Sequence, residues 1–166
     1  MSALTGIADA VALAYAGGYA ASPRTLSQNI HVERGFVPAW KLDELRDWSH
    51  SAPAPQTIEV YVATETEETV AEKSNREYLW IEYSVQVVLA AKPKATANAD
   101  VDPLLLLLQE LRDYFFKADR TAYALTGRAE KATKIETLAH PDLSELVQSR
   151  IFHAGFILTF EGYRLR

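Results

Sequence analysis

The sequence predicts an α+β fold in which a mostly antiparallel sheet of about four to five strands carries two main helices on one face. Residues 76–91 and 150–164 alternate apolar and polar side chains, which is the pattern of strands with one buried face. Residues 2–16 and the segment after Pro103 instead repeat apolar residues at steps of three and four, which is the pattern of helices. A chain of 166 residues suits one domain with a sizeable core, so we expect residues 1–166 to form a single unit.

The segment REYLWIEYSVQVVLAA, residues 76–91, is the strand around which we expect the sheet to form. The apolar positions on its core face are Leu79, Ile81, Tyr83, Val85, Val87 and Leu89. At about 3.4 Å per residue these positions span roughly 35 Å, whereas strands usually contain about five or six residues. The strand therefore either bends over the core or extends past it toward another subunit.

Two strands are expected to flank the central one. Residues 56–63 place Ile58, Val60 and Val62 on one face. Residues 150–164 place on one face Phe152, Ala154, Phe156, Leu158 and Phe160. Because this last register mirrors that of the central strand, the two are expected to pair. Shorter strands are predicted at residues 29–34 and 133–138, with a turn at residues 140–142.

Both predicted helices have an apolar stripe and an identifiable end. The first spans about residues 2–16 and ends at Gly17-Gly18, because glycine adopts the left-handed cap conformation at little cost. The second is expected to have Asp102 as its N-cap and Pro103 in its first helical position. Its inner stripe consists of Leu104, Leu107, Leu108, Leu111 and Phe115. The side chains that widen this stripe are Leu105, Leu106 and Tyr114. A stripe of this width predicts two apolar contacts, one with the chain's own sheet and the other with a neighbouring subunit.

Two segments show no apolar periodicity. Residues 64–75, TETEETVAEKSN, are acidic and polar, so they cannot bury enough surface to offset their ordering entropy. We expect a long mobile loop at about residues 64–76 that joins two antiparallel strands. Residues 117–132 are polar and alanine-rich, and the sequence assigns them no structure.

Composition excludes several classes of function. A net charge of -5 and a pI of about 5.4 argue against a nucleic-acid binder, which needs a concentrated basic surface. The same negative charge suits the wall of a channel through which DNA moves without binding, because it repels phosphate. The sequence has no cysteine, which excludes disulfides and thiolate metal sites. No apolar run is long enough to span a membrane, and the first residues lack the basic start of a signal peptide, so we interpret them as a helix of the mature protein.

No residue pattern predicts catalytic residues, a cofactor or a metal. The four histidines, His31, His50, His140 and His153, have no metal-ligand spacing and are expected to be surface or interface residues. The glutamates of residues 65–72 lack the spacing of a calcium loop, and there is no GxSxG nucleophile motif.

Aromatic and leucine side chains instead predict an interface. Tyr78 and Trp80 alternate with the core residues of the central strand, so they project from its opposite face. Exposed aromatic residues are typical of interface anchors, although a second layer of the same chain would cover them equally well. The interface candidates are therefore these two residues of the strand and the three residues that widen the stripe of the second helix: Tyr78, Trp80, Leu105, Leu106 and Tyr114.

The order of these elements resembles that of one known family. A helix and a short strand are followed by a strand, a long polar loop, a long strand, a helix and a final strand. The stretch SNREYLWIEYSVQVVLAA followed by VDPLLLLLQELRDYF carries most of the likeness. In this arrangement the chain resembles the tail terminator and tail-completion proteins of long-tailed bacteriophages.

The resemblance implies a structural virion protein, not an enzyme. Such proteins form a hexameric ring on the tail tube, end its polymerisation and provide the docking face to the head-neck connector. The implied partners are therefore further copies of the chain, the tail tube protein and the connector, with DNA passing the lumen without specific binding. The implied location is the tail or neck of the virion, assembled in the host cytoplasm, with no membrane contact and no cofactor. The alternatives are a neck or head-completion connector protein, or a binding module of a prophage-derived contractile injection system.

Overall fold

The computed structural model describes residues 3–35, 39–50, 58–64, 69–70, 74, 77–94, 98–117, 122–123 and 129–165. The helices within these segments are α1 (Ala3–Gly17), α2 (Ala39–Asp43), α3 (Asn98–Asp113) and α4 (Leu143–Ser149), and a 3₁₀ turn (Tyr114–Phe116) follows α3. The strands are β1 (His31–Arg34), β2 (Asp47–Trp48), β3 (Glu59–Thr64), β4 (Thr69–Val70), β5 (Tyr78–Pro93), β6 (Ala122–Tyr123), β7 (Ala129–Ala139) and β8 (Phe152–Leu165).

The sheet is built around β5, as the sequence predicts. Its strand order is β1-β3-β5-β8-β7-β6, and the short strands β2 and β4 also pair with β5. β5 is antiparallel to both β3 and β8, while β1 is parallel to β3. The α+β class with a mostly antiparallel sheet is therefore confirmed, and β3 and β8 flank the central strand as expected. The sheet has more strands than the four or five expected, because short segments extend its edges and add to the pairing along β5.

One face of the sheet carries the main core. The odd-numbered residues of β5 from Ile81 to Leu89 are buried there, as are the even-numbered residues of β8 from Phe152 to Phe160. Both face assignments made from the alternation of the sequence are confirmed. At about 25 cal/mol per Å² of apolar surface, continuous burial along two long strands is the main stabilising term of the domain.

Helices α1 and α3 pack on this core face. Ile7, Val11 and Tyr15 of α1 and Leu104 and Leu107 of α3 belong to the same buried cluster as the strands. The described part of the chain contains no helix long and apolar enough to cross a bilayer.

Helix α3 begins a turn earlier than expected, at Asn98, so Pro103 lies inside it. The reason is a contact distant in sequence: the carboxylate of buried Asp100 accepts hydrogen bonds from Ser49 Oγ (2.9 Å) and from the backbone N–H of His50 (3.1 Å). These bonds hold the turn that precedes Pro103, and periodicity alone does not reveal them.

Three further segments differ from the predictions. β7 begins at Ala129 and ends at Ala139, so it is longer than the strand expected at residues 133–138. Within residues 64–75, Thr69 and Val70 form β4 and pair with Glu82 and Ile81, so this part of the expected loop is a strand. The rest of that loop, apart from Thr64 and Ser74, lies outside the described residues. Of the unassigned segment 117–132, the structure describes residue 117, β6 and the start of β7.

Helix α4 is not predicted from the sequence, because its seven residues are too few to show periodicity. Asp142 caps it, and the Asp142 carboxylate accepts from the N–H groups of Ser144 and Glu145. Arg150 closes the helix in the left-handed conformation, with φ of 55°, and its N–H donates to the carbonyl of Leu146.

Candidate functional site

Leucine side chains form an apolar patch on the outer side of α3. Leu104, Leu107 and Leu111 are fully buried against the sheet, whereas Leu105 is 44% exposed and Leu106 is 49% exposed. Adjacent positions on a helix are rotated by about 100°, so these two leucines necessarily point away from the buried stripe. Their exposure agrees with the sequence interpretation that α3 is apolar on more than one side.

A second apolar patch lies on α4. Leu146 is buried, but Leu143 is 75% exposed and Val147 is 69% exposed. Leu143 and Val147 are four residues apart and therefore share one side of the helix. Sequence reasoning missed this patch because it missed the helix. The signal available was Asp142 followed three residues later by Glu145, which is the spacing of a helix N-terminus.

Tyr114 does not belong to either patch, so its assignment as an interface residue is wrong. It is 9% exposed and its ring meets that of Tyr15 edge-on, with centroids 5.4 Å apart. The cause is its position on the helix: Tyr114 follows Leu107 by seven residues and Leu111 by three, so helical spacing places it on the buried stripe. Phe115 completes the aromatic cluster, because its ring packs on both tyrosine rings.

Tyr15 ties the two main helices together beneath the α3 patch. Its hydroxyl donates a 2.8 Å hydrogen bond to the carbonyl of Leu111, across the interface between α1 and α3. Burial, followed by the neighbouring Tyr114, raises the pKa of Tyr15 well above its ordinary value. A protonated donor in a dry environment fixes the distance between the helices, so the exposed side of α3 is held rigidly.

The two aromatic candidates of β5 lie where the alternation places them. Trp80 pairs with Tyr163 and is partly buried on the face opposite the main core. Its backbone is held on both sides by Ser74, whose Oγ accepts from the Trp80 N–H (3.0 Å) and donates to the Trp80 carbonyl (3.2 Å). Tyr78 pairs with Leu165, and its side chain lies outside the described residues.

Neither models of known protein families nor curated proteins match this chain.

Among the described residues, Ser49, His50 and Asp100 form a cluster whose hydrogen bonds are structural. Ser49 donates its hydroxyl proton to Asp100, and the imidazole Nδ1 of His50 faces Gln28 Nε2 at 3.3 Å. A nucleophilic serine requires the opposite arrangement, in which the imidazole accepts the hydroxyl proton. Among the described residues, no three histidine or carboxylate side chains converge as a metal site.

The sheet also ends in two short edge strands. β1 has four residues and β6 has two, and they stand at opposite ends of the strand order. Edge strands present backbone N–H and C=O groups to a further chain, and short charged strands limit such pairing. β1 has the sequence HVER, so three of its four residues are polar. The apolar helix patches are therefore better candidates for a contact surface than the sheet edges are.

Proposed function

We propose that the chain is a structural subunit of a long-tailed phage particle, of the tail-terminator type. In this role six copies form a ring on the tail tube, end its polymerisation and offer a docking face to the head-neck connector. The observation that carries the proposal is the arrangement of the resembling segments. The strand of SNREYLWIEYSVQVVLAA is the centre of an open sheet, and the helix of VDPLLLLLQELRDYF packs on it with two leucines left exposed.

Self-association is supported by the presence of two different apolar patches on one chain. Leu105 and Leu106 form one on α3, and Leu143 and Val147 form the other on α4. A ring requires a head-to-tail contact, in which one patch of a subunit meets a different patch of the next. Burying exposed leucines in such a contact removes apolar surface from water, which stabilises the contact by about 25 cal/mol per Å². A second copy of the chain is accordingly the occupant that we assign to these patches.

The net charge of the chain is consistent with a channel that does not bind the DNA passing through it. A net charge of -5 repels phosphate, so DNA in the lumen meets no specific binding surface. Affinity for nucleic acid depends on phosphate neutralisation by lysine and arginine. The proposed partners are therefore the tail tube protein on one side of the ring and the connector protein on the other.

The test is electron microscopy of tails assembled with the wild-type chain or with Leu106→Asp. The wild-type chain is expected as a six-fold ring at the head-proximal end of tubes of uniform length. The Leu106→Asp variant places a charge in the subunit contact, so overlong headless tails are expected. Leu13→Asp is the matched control, because Leu13 is an exposed leucine on α1, 76% accessible, outside both patches.

The same images separate the alternatives. Tails of normal length that fail to join heads would assign the chain to the neck connector. A chain absent from the particles, and dimeric in solution, would assign it to a binding module and refute the terminator proposal. Overlong tails with Leu13→Asp as well would show that the α3 patch is not the specific contact.

A further inference from the structure

The two outer edges of the sheet, in the part of the chain that the structure describes, belong to β1 and to most of β7. There β1 pairs with β3 alone, and β6 covers β7 only at Ala129 and Glu130. Residues 131–139 of β7 therefore have no strand partner on their outer side among the described residues. Unpaired edges of this kind present backbone N–H and C=O groups to another strand.

The backbone groups of Val32 point toward the free edge of β1. At the two ends of this strand, the N–H groups of His31 and Gly35 donate to the carbonyls of Ile58 and Val62, each at 2.9 Å. Backbone groups alternate in direction along a strand. Those of Val32 therefore point away from β3 and are available to a strand of another copy.

The backbone groups of Ile135 point toward the free edge of β7. The carbonyl of Thr159 accepts a 3.3 Å hydrogen bond from Thr133 Oγ1, so this carbonyl points from β8 toward β7. Thr159 pairs with Lys134, and the next pair is Leu158 with Ile135. Directions alternate between successive antiparallel pairs, so Ile135 turns its N–H and C=O away from β8.

Val32 and Ile135 also lie on the same face of the sheet. Val32 pairs with buried Val60, Ile135 pairs with buried Leu158, and both edge residues are partly buried against the main core. They are thus the two exposed ends of one apolar layer. A further strand beside either edge would complete the burial of its side chain, which is favourable for apolar surface.

We infer that β1 of one copy pairs antiparallel with β7 of the next copy, with Val32 opposite Ile135, so that the sheet continues from subunit to subunit. The inference rests on the proposed ring and names a contact within it. In this register β1 lies along residues 133–136 of β7 and avoids β6, which pairs with residues 129–130.

The strand directions agree with a ring. Within one chain β1 is parallel to β3, and the three pairings that lead from β3 to β7 are all antiparallel, so β1 and β7 run in opposite directions. Rotation about an axis along the strands leaves every direction unchanged. The β1 strand of the next copy therefore meets β7 antiparallel, and repeating this head-to-tail contact closes a cyclic assembly.

The charges on the opposite face select this register. It places Glu33 opposite Lys134 and His31 opposite Glu136, whereas a shift of two residues places either Glu33 opposite Glu136 or His31 opposite Lys134. Opposite charges across a ladder stabilise it and like charges destabilise it. All four side chains remain 42–62% exposed although each has an ion pair within its own chain, so they are accessible to a second strand. Charges that limit pairing with most strands thus favour this one.

The test is disulfide trapping in assembled tails, because the chain has no cysteine of its own. Glu33→Cys combined with Lys134→Cys places two cysteines at a non-hydrogen-bonded pair, where Cα atoms lie about 4.5 Å apart, within disulfide range. Within one chain these positions lie at opposite edges of the sheet, four strand spacings or roughly 19 Å apart, so the bond forms only between chains. After oxidation with copper phenanthroline, a non-reducing gel is expected to show a ladder of up to six copies.

Glu33→Cys combined with Glu136→Cys is the matched control. Its cysteines are two residues out of register and roughly 7–8 Å apart, so the chain is expected to stay monomeric on the gel. A ladder as strong with this control pair would overturn the inference. A dimer band with Glu33→Cys or Lys134→Cys alone would also overturn it, because it reports a twofold contact.

The same particles separate this inference from the proposed function. Tails that carry a six-fold ring but show no disulfide ladder would overturn the pairing of β1 with β7 and leave the terminator proposal standing. Tails without a ring would overturn both.

A charge exchange gives a second measurement. Lys134→Glu places a carboxylate opposite Glu33, so it is expected to lower the fraction of tails with a ring several-fold, and Glu33→Lys combined with Lys134→Glu is expected to restore that fraction. No restoration, when both variants unfold at the wild-type temperature, would refute the register.

Discussion

Replacing Phe156 by Ala is the sharpest test of which sheet face carries the core. Phe156 is fully buried, and it lies opposite Val87 in the pair formed by β8 and β5. Removing a buried phenyl ring loses its transfer free energy and leaves a cavity, which together cost about 3–5 kcal/mol. For a domain of this size each kcal/mol lowers Tm by about 2–4 °C, so we expect a fall on the order of 10 °C.

Ile157→Ala is the matched control, because the next residue of β8 points to the other face. Ile157 is partly exposed and lies opposite Gln86 and Glu136. Its truncation leaves no closed cavity, so we expect a loss below about 2 kcal/mol. Urea unfolding followed by circular dichroism gives both free energies. A loss for Ile157→Ala that equals or exceeds that of Phe156→Ala would refute the face assignment.

Three further predictions concern buried and capping groups. Val85→Asp places an unpaired charge among fully buried residues, so it should cost several kcal/mol and abolish cooperative thermal unfolding. Tyr15→Phe removes the bond to Leu111 and should cost about 1–2 kcal/mol in urea unfolding. Because the folded pKa of Tyr15 is raised, the native state keeps a proton that the unfolded chain loses above its ordinary pKa of 10.0. Wild-type stability should therefore fall as pH rises past that value, more steeply than that of Tyr15→Phe. Asp142→Ala removes the α4 cap and should cost about 1 kcal/mol, seen as faster amide exchange at Leu146.

The parts of the fold that were predictable are those with a long repeat. β5 and β8 alternate apolar and polar residues over many positions. Because only one face of each strand is buried, this alternation identified both core faces and the pairing of the two strands. Helix α4 contains two turns, and so short a segment shows no measurable period. The start of α3 depends on Asp100 meeting Ser49, a contact across 51 positions that no local pattern contains.

The candidate sites were predictable to different degrees. The exposure of Leu105 and Leu106 follows from the width of the apolar stripe on one helix. The burial of Tyr114 was available from the same periodicity, because this residue lies seven positions after Leu107 and three after Leu111 on the buried stripe.

The pairing of β5 with β8 has a consequence for how the chain folds. Ala91 pairs with Phe152 and Tyr78 with Leu165, so every bond of this ladder closes a loop of about sixty residues or more. Folding that depends on such distant pairs is slow, because the entropy of loop closure is lost before the contacts between the strands form. While β8 is still inside the ribosome, the long apolar strand β5 of the nascent chain has an edge without its partner strand. Strand exchange between neighbouring nascent chains is then the competing reaction, and its rate rises with the density of translating ribosomes.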